Sequence, residues 1–89
     1  MKKITIYSSI LCPYCNMAKK ILKDRNLEFD EIIIDNKPEI KSEMEKKSFG
    51  KKTVPQIFFN QELIGGFDDL NDLVEKNQLN SSLGIENEV

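Results

Sequence analysis

Alternation of hydrophobic and polar residues predicts strands in parts of this chain, and a helical period predicts helices in others. Residues 3–7 alternate polar and apolar positions and carry β-branched side chains, which is typical of a strand. From Pro13 onward apolar residues recur at helical spacing with lysines between them, so we expect a helix ending near Arg25-Asn26. Residues 27–35 then predict a second strand, and their three consecutive isoleucines indicate that both of its faces are covered.

The middle of the chain is more polar and is divided by proline and glycine. Residues 38–47 predict a second helix that begins at a proline, and a basic loop over 48–52 follows it. Residues 56–59 and 62–64 predict two short strands. The two residues between them, 60–61, suit the tight turn of an antiparallel hairpin.

The last helix is marked by glycines and aspartates at its start. Gly65-Gly66 ends the second hairpin strand, and Asp68 or Asp69 is then expected to cap a third helix. Residues 80–89 are polar and have no clear period, so we expect a loose C-terminal tail.

This order of elements predicts an α/β fold with the arrangement β-α-β-α-β-β-α. The initial β-α-β unit requires a parallel pair of strands joined by a right-handed crossover, and the later hairpin requires an antiparallel pair. We therefore expect a mixed four-stranded sheet with helices on both faces. The 89 residues suit a single domain over 1–89.

Composition and charge narrow the function classes. The chain has no histidine, which excludes Ser–His triads, Cys–His proteases and zinc hydrolase chemistry. A net charge of −2 argues against nucleic-acid binding, which needs a basic face. No apolar stretch has the length of a signal peptide or the roughly 18 residues of a membrane span, so we expect a cytoplasmic protein that does not bind membranes. No coiled-coil pattern or large apolar surface stripe indicates an oligomer, so we expect a monomer.

The two cysteines, Cys12 and Cys15, stand at the predicted start of the first helix. A bridge between them closes too short a loop to constrain the unfolded chain much, so the pair indicates chemistry rather than scaffolding. Unpaired N–H groups and the positive end of the helix dipole stabilise a thiolate at Cys12. We predict that Cys12 attacks disulfides and that Cys15, one turn deeper, resolves the product. A structural pair or half of a metal site remains the alternative.

Three segments of the chain resemble the dithiol glutaredoxin family, specifically its small bacterial type. They are the Cys12-Pro13-Tyr14-Cys15 segment, which matches the CPYC signature of the family, the Thr53-Val54-Pro55 loop, and the glycine pair with its acidic helix start, Gly65-Gly66-Phe67-Asp68-Asp69. The resemblance covers roughly residues 3–76. It implies the thioredoxin-like fold.

The resemblance also implies an enzyme, a glutathione-dependent thiol–disulfide oxidoreductase. Such an enzyme reduces disulfide-containing proteins and glutathionylated proteins, uses glutathione as its reducing co-substrate, and has no bound cofactor or metal. The residues implied to bind glutathione are Tyr14, Thr53, Val54, Pro55, Gly66, Phe67 and Asp68, with Lys52 as a further candidate.

Family resemblance gives some of these residues particular roles. Pro55 is expected to follow a cis peptide bond that faces the cysteines, and Val54 to pair its backbone with the cysteinyl part of glutathione. The N–H groups of Phe67 and Asp68 would hold the γ-glutamyl carboxylate, and the Asp68 side chain its ammonium group. Simpler interpretations are that Pro55 only opens a strand, that Asp68 only caps a helix, and that Tyr14 is partly buried.

Basic side chains that could hold the glycyl carboxylate of glutathione are arranged unusually here. Many glutaredoxins carry a lysine three residues before the first catalytic cysteine, whereas this chain has Ser9. Four lysines, Lys46, Lys47, Lys51 and Lys52, precede the Thr53-Val54-Pro55 loop. We expect either that glutathione binds more weakly or that these lysines replace the missing one. Most of them are equally well explained as solvated lysines near a helix C-terminus.

Two other functions remain open at this point. A redoxin with the same fold could be reduced by thioredoxin reductase, and Ser9 leaves room for that function. An iron–sulfur carrier would use Cys12 and glutathione to ligate a cluster between two chains, but the Pro13-Tyr14 pair disfavours it because carriers of this family usually have one cysteine followed by Gly-Phe-Ser.

Overall fold

The computed structural model describes residues 1–85 and contains four strands and four helices in that range. The strands are β1 (Ile4–Ser8), β2 (Asp30–Ile33), β3 (Gln56–Phe59) and β4 (Glu62–Gly65). The helices are α1 (Pro13–Asp24), α2 (Pro38–Lys47), α3 (Phe67–Glu75) and α4 (Leu79–Leu83). The predicted order is confirmed through α3, and α4 is an addition to it.

The four strands form one mixed sheet in the order β2-β1-β3-β4. Strand β1 is parallel to β2, as the β1-α1-β2 crossover requires, and antiparallel to β3. Strand β3 is antiparallel to β4 across the short turn. The predicted four-stranded sheet, with one parallel pair and an antiparallel hairpin, is therefore confirmed.

Successive side chains of the two central strands enter different cores, because side chains alternate across a strand. On one face, β1 and β3 pack against helices α1, α3 and α4 through the buried residues Ile4, Ile6, Ala18, Leu22, Ile57, Phe59, Leu70, Leu79 and Leu83. On the other face, Tyr7 and Phe58 pack against Met44 of α2. The predicted helices on both faces are thus confirmed.

A buried polar contact fixes the end of β1 just before the cysteines. The hydroxyl of the fully buried Ser8 donates to a carboxylate oxygen of Glu31 at 2.6 Å. Lys19 of α1 donates to the same oxygen at 2.6 Å. These two hydrogen bonds, Lys19 first, lower the pKa of the Glu31 carboxyl group. One carboxylate therefore joins β1, β2 and α1 close to the point where the chain leaves the sheet.

The prediction that β2 is covered on both faces is wrong. This strand lies at the edge of the sheet, and its first residues, Asp30 and Glu31, are exposed. Ile32 and Ile34 pack under α2, but they are only partly buried. A run of isoleucines has the same sequence pattern in an edge strand as in a central strand. The pairing of strands in the sheet decides whether the segment becomes an edge strand or a central one.

The prediction of a loose tail from residue 80 is wrong for residues 80–85, which the structure describes. Helix α4 packs Leu79 and Leu83 into the core, where they are 3% and 0% exposed. The N–H of Lys2 also donates to the carbonyl of Leu83 at 2.8 Å, which ties the C-terminal helix to the chain start. The rest of that prediction, residues 86–89, lies outside the described residues.

Candidate active site

Both cysteines lie at the N-terminus of α1, joined by a disulfide with their Cα atoms 5.2 Å apart. Cys12 is the N-cap residue and Pro13 is the first residue of the helix, where its missing N–H costs nothing. Cys12 is 8% exposed and Cys15 is 0% exposed. The sulfur of Cys12 is therefore the one that a substrate can reach.

Backbone groups surround the sulfur of Cys12. The N–H of Cys15 points at this sulfur with an N···S distance of 3.1 Å, and the carbonyl oxygen of Val54 lies 3.7 Å from it. The sulfur also lies at the positive end of the α1 dipole. When the disulfide is reduced, this N–H and the dipole stabilise negative charge on Cys12.

Pro55 follows a cis peptide bond, as the family resemblance predicted. It also directly precedes β3, so the simpler interpretation of a proline before a strand holds as well. The buried side chain of Gln56 donates from its amide to the carbonyl and hydroxyl oxygens of Thr53, at 3.1 and 3.3 Å. Gln56 thus holds the loop beside the cysteines, a role that the strand pattern alone did not indicate.

A cleft of about 430 Å³ opens beside the cysteine pair. Its size is within the range of small-molecule sites. It is lined by Tyr14, Lys51, Thr53, Val54, Pro55, Gln56, Gly66, Phe67, Asp68 and Asp69. The structure thus brings together all seven residues expected to bind glutathione, but Lys51 and not Lys52 is the lysine at the cleft. Residues 1–85 contain no group of three or more His, Cys, Asp or Glu side chains that could hold a metal ion.

The start of α3 differs from the expected aspartate cap. Gly66 is the N-cap, and the side chain of Asp69 accepts a hydrogen bond from the Gly66 N–H at 2.9 Å. A side chain at Gly65, whose φ is +122°, would lie 2.7 Å from the carboxyl carbon of Asp69. Only glycine there lets Asp69 fold back over the helix start. Asp68 is therefore exposed at the second helical position and is not used as the cap.

Exposed apolar side chains border the cleft and the loop before Cys12. The rings of Tyr14 and Phe67 lie 5.9 Å apart and form one wall of the cleft. Tyr14 is 59% exposed and lines the cleft, which is compatible with both expectations, a place at the groove and partial burial. Ile10 and Leu11, immediately before Cys12, are exposed too. The surroundings of the Cys12 sulfur therefore include an exposed apolar surface. Exposed apolar surface of this kind marks a site where another molecule binds.

Asp35 clamps the loop that leads from β1 to Cys12. One of its carboxylate oxygens accepts the hydroxyl of Ser9 at 2.6 Å, and the other accepts the N–H of Ile10 at 2.8 Å. These two hydrogen bonds, that of Ser9 first, lower the pKa of the Asp35 carboxyl group. Ser9 stands where many members of the family that this chain resembles have a lysine. Its hydroxyl is hydrogen-bonded to Asp35.

We expect Asp35→Ala to slow the reaction of the reduced Cys12 with a small disulfide several-fold, because the Ser9 hydroxyl and the Ile10 N–H both lose their acceptor. Asp35→Asn should lose less, since it keeps one acceptor oxygen. Because the pKa of Asp35 is lower in the folded protein than in the unfolded chain, its carboxylate contributes its full stabilisation above the ordinary aspartate pKa. This stabilisation is lost as the pH falls through the lower pKa of the folded protein. The stability difference between wild type and Asp35→Ala should therefore shrink in acid, as urea unfolding at pH 7 and pH 3 would measure.

Asp30→Ala is the matched control for this prediction. Asp30 stands at the other end of β2, and among residues 1–85 it pairs only with Lys3, in an exposed contact. Equal losses of this reaction rate in Asp30→Ala and Asp35→Ala would contradict a specific role of Asp35 in positioning the loop.

Comparison with known proteins places this site in a family. The Glutaredoxin family model matches residues 4–64. The glutaredoxin of Pseudomonas aeruginosa is 40% identical over 83 residues, which cover 93% of this chain and 98% of that protein. Glutaredoxin 3 of Escherichia coli K12 is 44% identical over 70 residues, 79% of this chain and 83% of that protein. The solution structure of the Brucella melitensis glutaredoxin, 38% identical, superimposes with a TM-score of 0.82 over 100% of this chain and 96% of that one.

Proposed function

Because the chain belongs to the glutaredoxin family and is a glutathione-dependent thiol–disulfide oxidoreductase, we propose that Cys12 is its attacking thiolate, Cys15 its resolving thiol, and the adjoining cleft its glutathione site. One observation supports these roles above all: the accessible sulfur of Cys12 lies at a helix N-terminus beside a cleft that the family's binding motifs line together. None of the comparisons favours a thioredoxin-reductase-dependent redoxin or an iron–sulfur carrier.

With a glutathionylated substrate, one cysteine suffices. The Cys12 thiolate attacks the glutathione sulfur, a new S–S bond forms, and the substrate leaves as a thiolate that takes a proton from solvent. A second glutathione thiolate then attacks the glutathione sulfur of this mixed disulfide. Oxidised glutathione leaves, and the Cys12 thiolate is regenerated. The N–H of Cys15, already directed at the Cys12 sulfur, stabilises that leaving thiolate.

With a protein disulfide, Cys15 takes part. Cys12 attacks one sulfur and releases the other as a thiol, which leaves the substrate bonded to Cys12. The Cys15 thiolate then attacks Cys12, releases the reduced protein and forms the Cys12–Cys15 disulfide, the bond present in this structure. Two glutathione molecules reduce that bond and leave as oxidised glutathione. The close Cα spacing of 5.2 Å favours this ring closure.

Glutathione fits the cleft through backbone recognition of its cysteinyl part and of its γ-glutamyl carboxylate. Its cysteinyl part pairs with the backbone of Val54 as an added strand would. The first N–H groups of α3, at Phe67 and Asp68, have no acceptor within the helix and bind the γ-glutamyl carboxylate. The exposed carboxylate of Asp68 pairs with the γ-glutamyl ammonium group. Lys51 takes the role toward the glycyl carboxylate that was expected of Lys52, since it lines the cleft.

The cellular setting follows from this chemistry. A glutathione-reduced dithiol works where the glutathione pool is reducing, so we assign the protein to the cytoplasm as a single-domain monomer over residues 1–89. Its partners are glutathione and disulfide-containing or glutathionylated proteins. Between residues 1 and 85 no helix is both long and apolar enough to cross a bilayer.

The test is a coupled assay with glutathione, glutathione reductase, NADPH and the mixed disulfide of glutathione with a small thiol. We expect rapid NADPH consumption, and Asp68→Ala should raise KM for glutathione several-fold, because the ammonium group of glutathione loses its carboxylate partner. Asp72→Ala on the same helix, where Asp72 pairs with Lys76, is the matched control. If the protein shows no turnover in this assay but is reduced by thioredoxin reductase, it belongs to the redoxin class. Asp68 would then have no role in binding glutathione.

A further inference from the structure

An aromatic residue occupies an unusual position directly after α2. Phe49 has a φ of +59° and is 86% exposed. It follows the C-cap Ser48, and the next N–H, that of Gly50, donates to the carbonyl of Glu45 at 2.7 Å, which closes the end of the helix. Such left-handed positions after a helix favour glycine or asparagine. Neither the backbone nor core packing accounts for phenylalanine here, so contact with another molecule is the remaining role for its ring.

Lysines flank Phe49 on both sides in the sequence, although the chain as a whole is acidic. Lys46, Lys51 and Lys52 are exposed, and none of these three has a carboxylate within 4.0 Å in the range 1–85. Lys47 pairs only loosely with Glu43, at 3.8 Å. An aromatic side chain among unpaired cations suits a surface that carries both apolar groups and carboxylates.

This segment is continuous with the glutathione cleft. Lys51 lines the cleft together with Tyr14 and Thr53, whereas Phe49 does not. One residue, Gly50, separates Phe49 from Lys51, so their Cα atoms are at most about 7 Å apart. Phe49 is therefore close to the cleft along the chain but does not line it, so a larger substrate bonded to Cys12 can reach it where glutathione itself does not.

We propose that residues 46–52, the Phe49 loop, bind protein substrates whose reactive cysteine is flanked by an apolar side chain and by carboxylates. This inference rests on the proposed function and names the substrate class of the same site. The ring of Phe49 packs on the apolar side chain, and the lysines attract the carboxylates. Small glutathione disulfides reach only Lys51 of this segment, so Phe49 and Lys46 raise kcat/KM only for proteins and peptides of this kind.

The experiment compares three substrates: a glutathionylated peptide with leucine and aspartates beside its cysteine, the same peptide with lysines for the aspartates, and the mixed disulfide of cysteine with glutathione. Phe49→Asn removes the ring and keeps a residue that tolerates the left-handed backbone, so the fold is retained. Lys46→Glu reverses one charge of the loop. Lys23→Glu makes the same change in the last turn of α1, about 16 Å along the helix from Cys12.

We expect Phe49→Asn and Lys46→Glu to lower kcat/KM for the acidic peptide about fivefold or more, the size of an ordinary interface contact. Both variants should keep the wild-type kcat/KM for the cysteine–glutathione disulfide. Lys23→Glu should keep the wild-type kcat/KM for all three substrates. Binding of the acidic peptide with serine in place of its cysteine, followed by fluorescence anisotropy, should weaken in the same two variants. That measurement does not depend on turnover, so a failure of the proposed function would not be confused with a failure of the loop.

Three outcomes would overturn the assignment. Phe49→Asn could treat the acidic peptide as wild type does, in turnover and in binding. It could lower the turnover of all three substrates equally, which would make the residue part of the general site. The wild-type protein could instead bind vesicles of phosphatidylglycerol and phosphatidylcholine in a Phe49-dependent way while peptide kinetics stay unchanged, which would assign the loop to a membrane surface.

Discussion

Cys12→Ser is expected to abolish the reduction of glutathione mixed disulfides, with a loss of kcat/KM of at least about a thousandfold. A serine hydroxyl is not ionised near neutral pH, and no other thiol is available because the chain has only two cysteines, the second fully buried. Cys15→Ser should retain this reaction, since the glutathionylated Cys12 is released by free glutathione. The same variant should lose the reduction of protein disulfides that need Cys15 to resolve the mixed disulfide.

Both variants can be measured in the coupled assay with a small mixed disulfide and with a disulfide-bonded protein. Serine at position 15 buries a hydroxyl group in a fully buried site, which could cost about 1–3 kcal/mol if the group finds no partner. Cys15→Ala therefore serves as the second variant, and circular dichroism verifies the fold of each. Turnover by Cys12→Ser, or loss of deglutathionylation in a folded Cys15→Ala, would contradict the assigned division of roles.

Leu83→Ala should lower the free energy of unfolding by about 2–5 kcal/mol. Leu83 is fully buried in the core shared by α1, α3 and the sheet, and truncation leaves a cavity there. The total free energy of unfolding of a small domain is only about 5–15 kcal/mol, so this one substitution removes a large fraction of it. The magnitude is notable because the residue lies in a segment whose sequence indicates a loose tail.

Urea unfolding of the two proteins, followed by circular dichroism, would measure this difference. Ser82→Ala, the adjacent residue on the same short helix, is the control and should stay within about 0.5 kcal/mol of wild type. A cost of Leu83→Ala as small as that of Ser82→Ala would mean that α4 does not pack on the core in solution.

Most of the active site could be predicted from the sequence, because its parts are local. The Cys12-to-Cys15 spacing at a helix start depends only on the strand before it and on Pro13. The loop before β3 and the glycine pair before α3 are short segments whose residue types restrict the backbone by themselves. Their assembly into one cleft followed from the resemblance to glutaredoxins, since spacing along the chain does not place residue 14 beside residue 67.

Other features depend on contacts between distant residues and could not be predicted in this way. Asp35 lies 25 residues from the Ile10 N–H that it binds, and only the pairing of β2 with β1 brings them together. Whether the side chain of Asp68 or that of Asp69 hydrogen-bonds to the start of α3 depends on where the helix begins. Whether Lys51 or Lys52 faces the cleft depends on the path of the loop in three dimensions.

The sequence by itself determined the order of strands and helices through α3, the mixed sheet and the reactive cysteine pair. Periods of two and 3.6 residues follow from backbone geometry, so a chain reports them wherever its apolar residues are regular. Tertiary structure alone decided that β2 is an edge strand and that α4 is part of the core. For short segments such as residues 79–83 the pattern is too brief to show a period, and their burial depends on what the rest of the fold leaves uncovered.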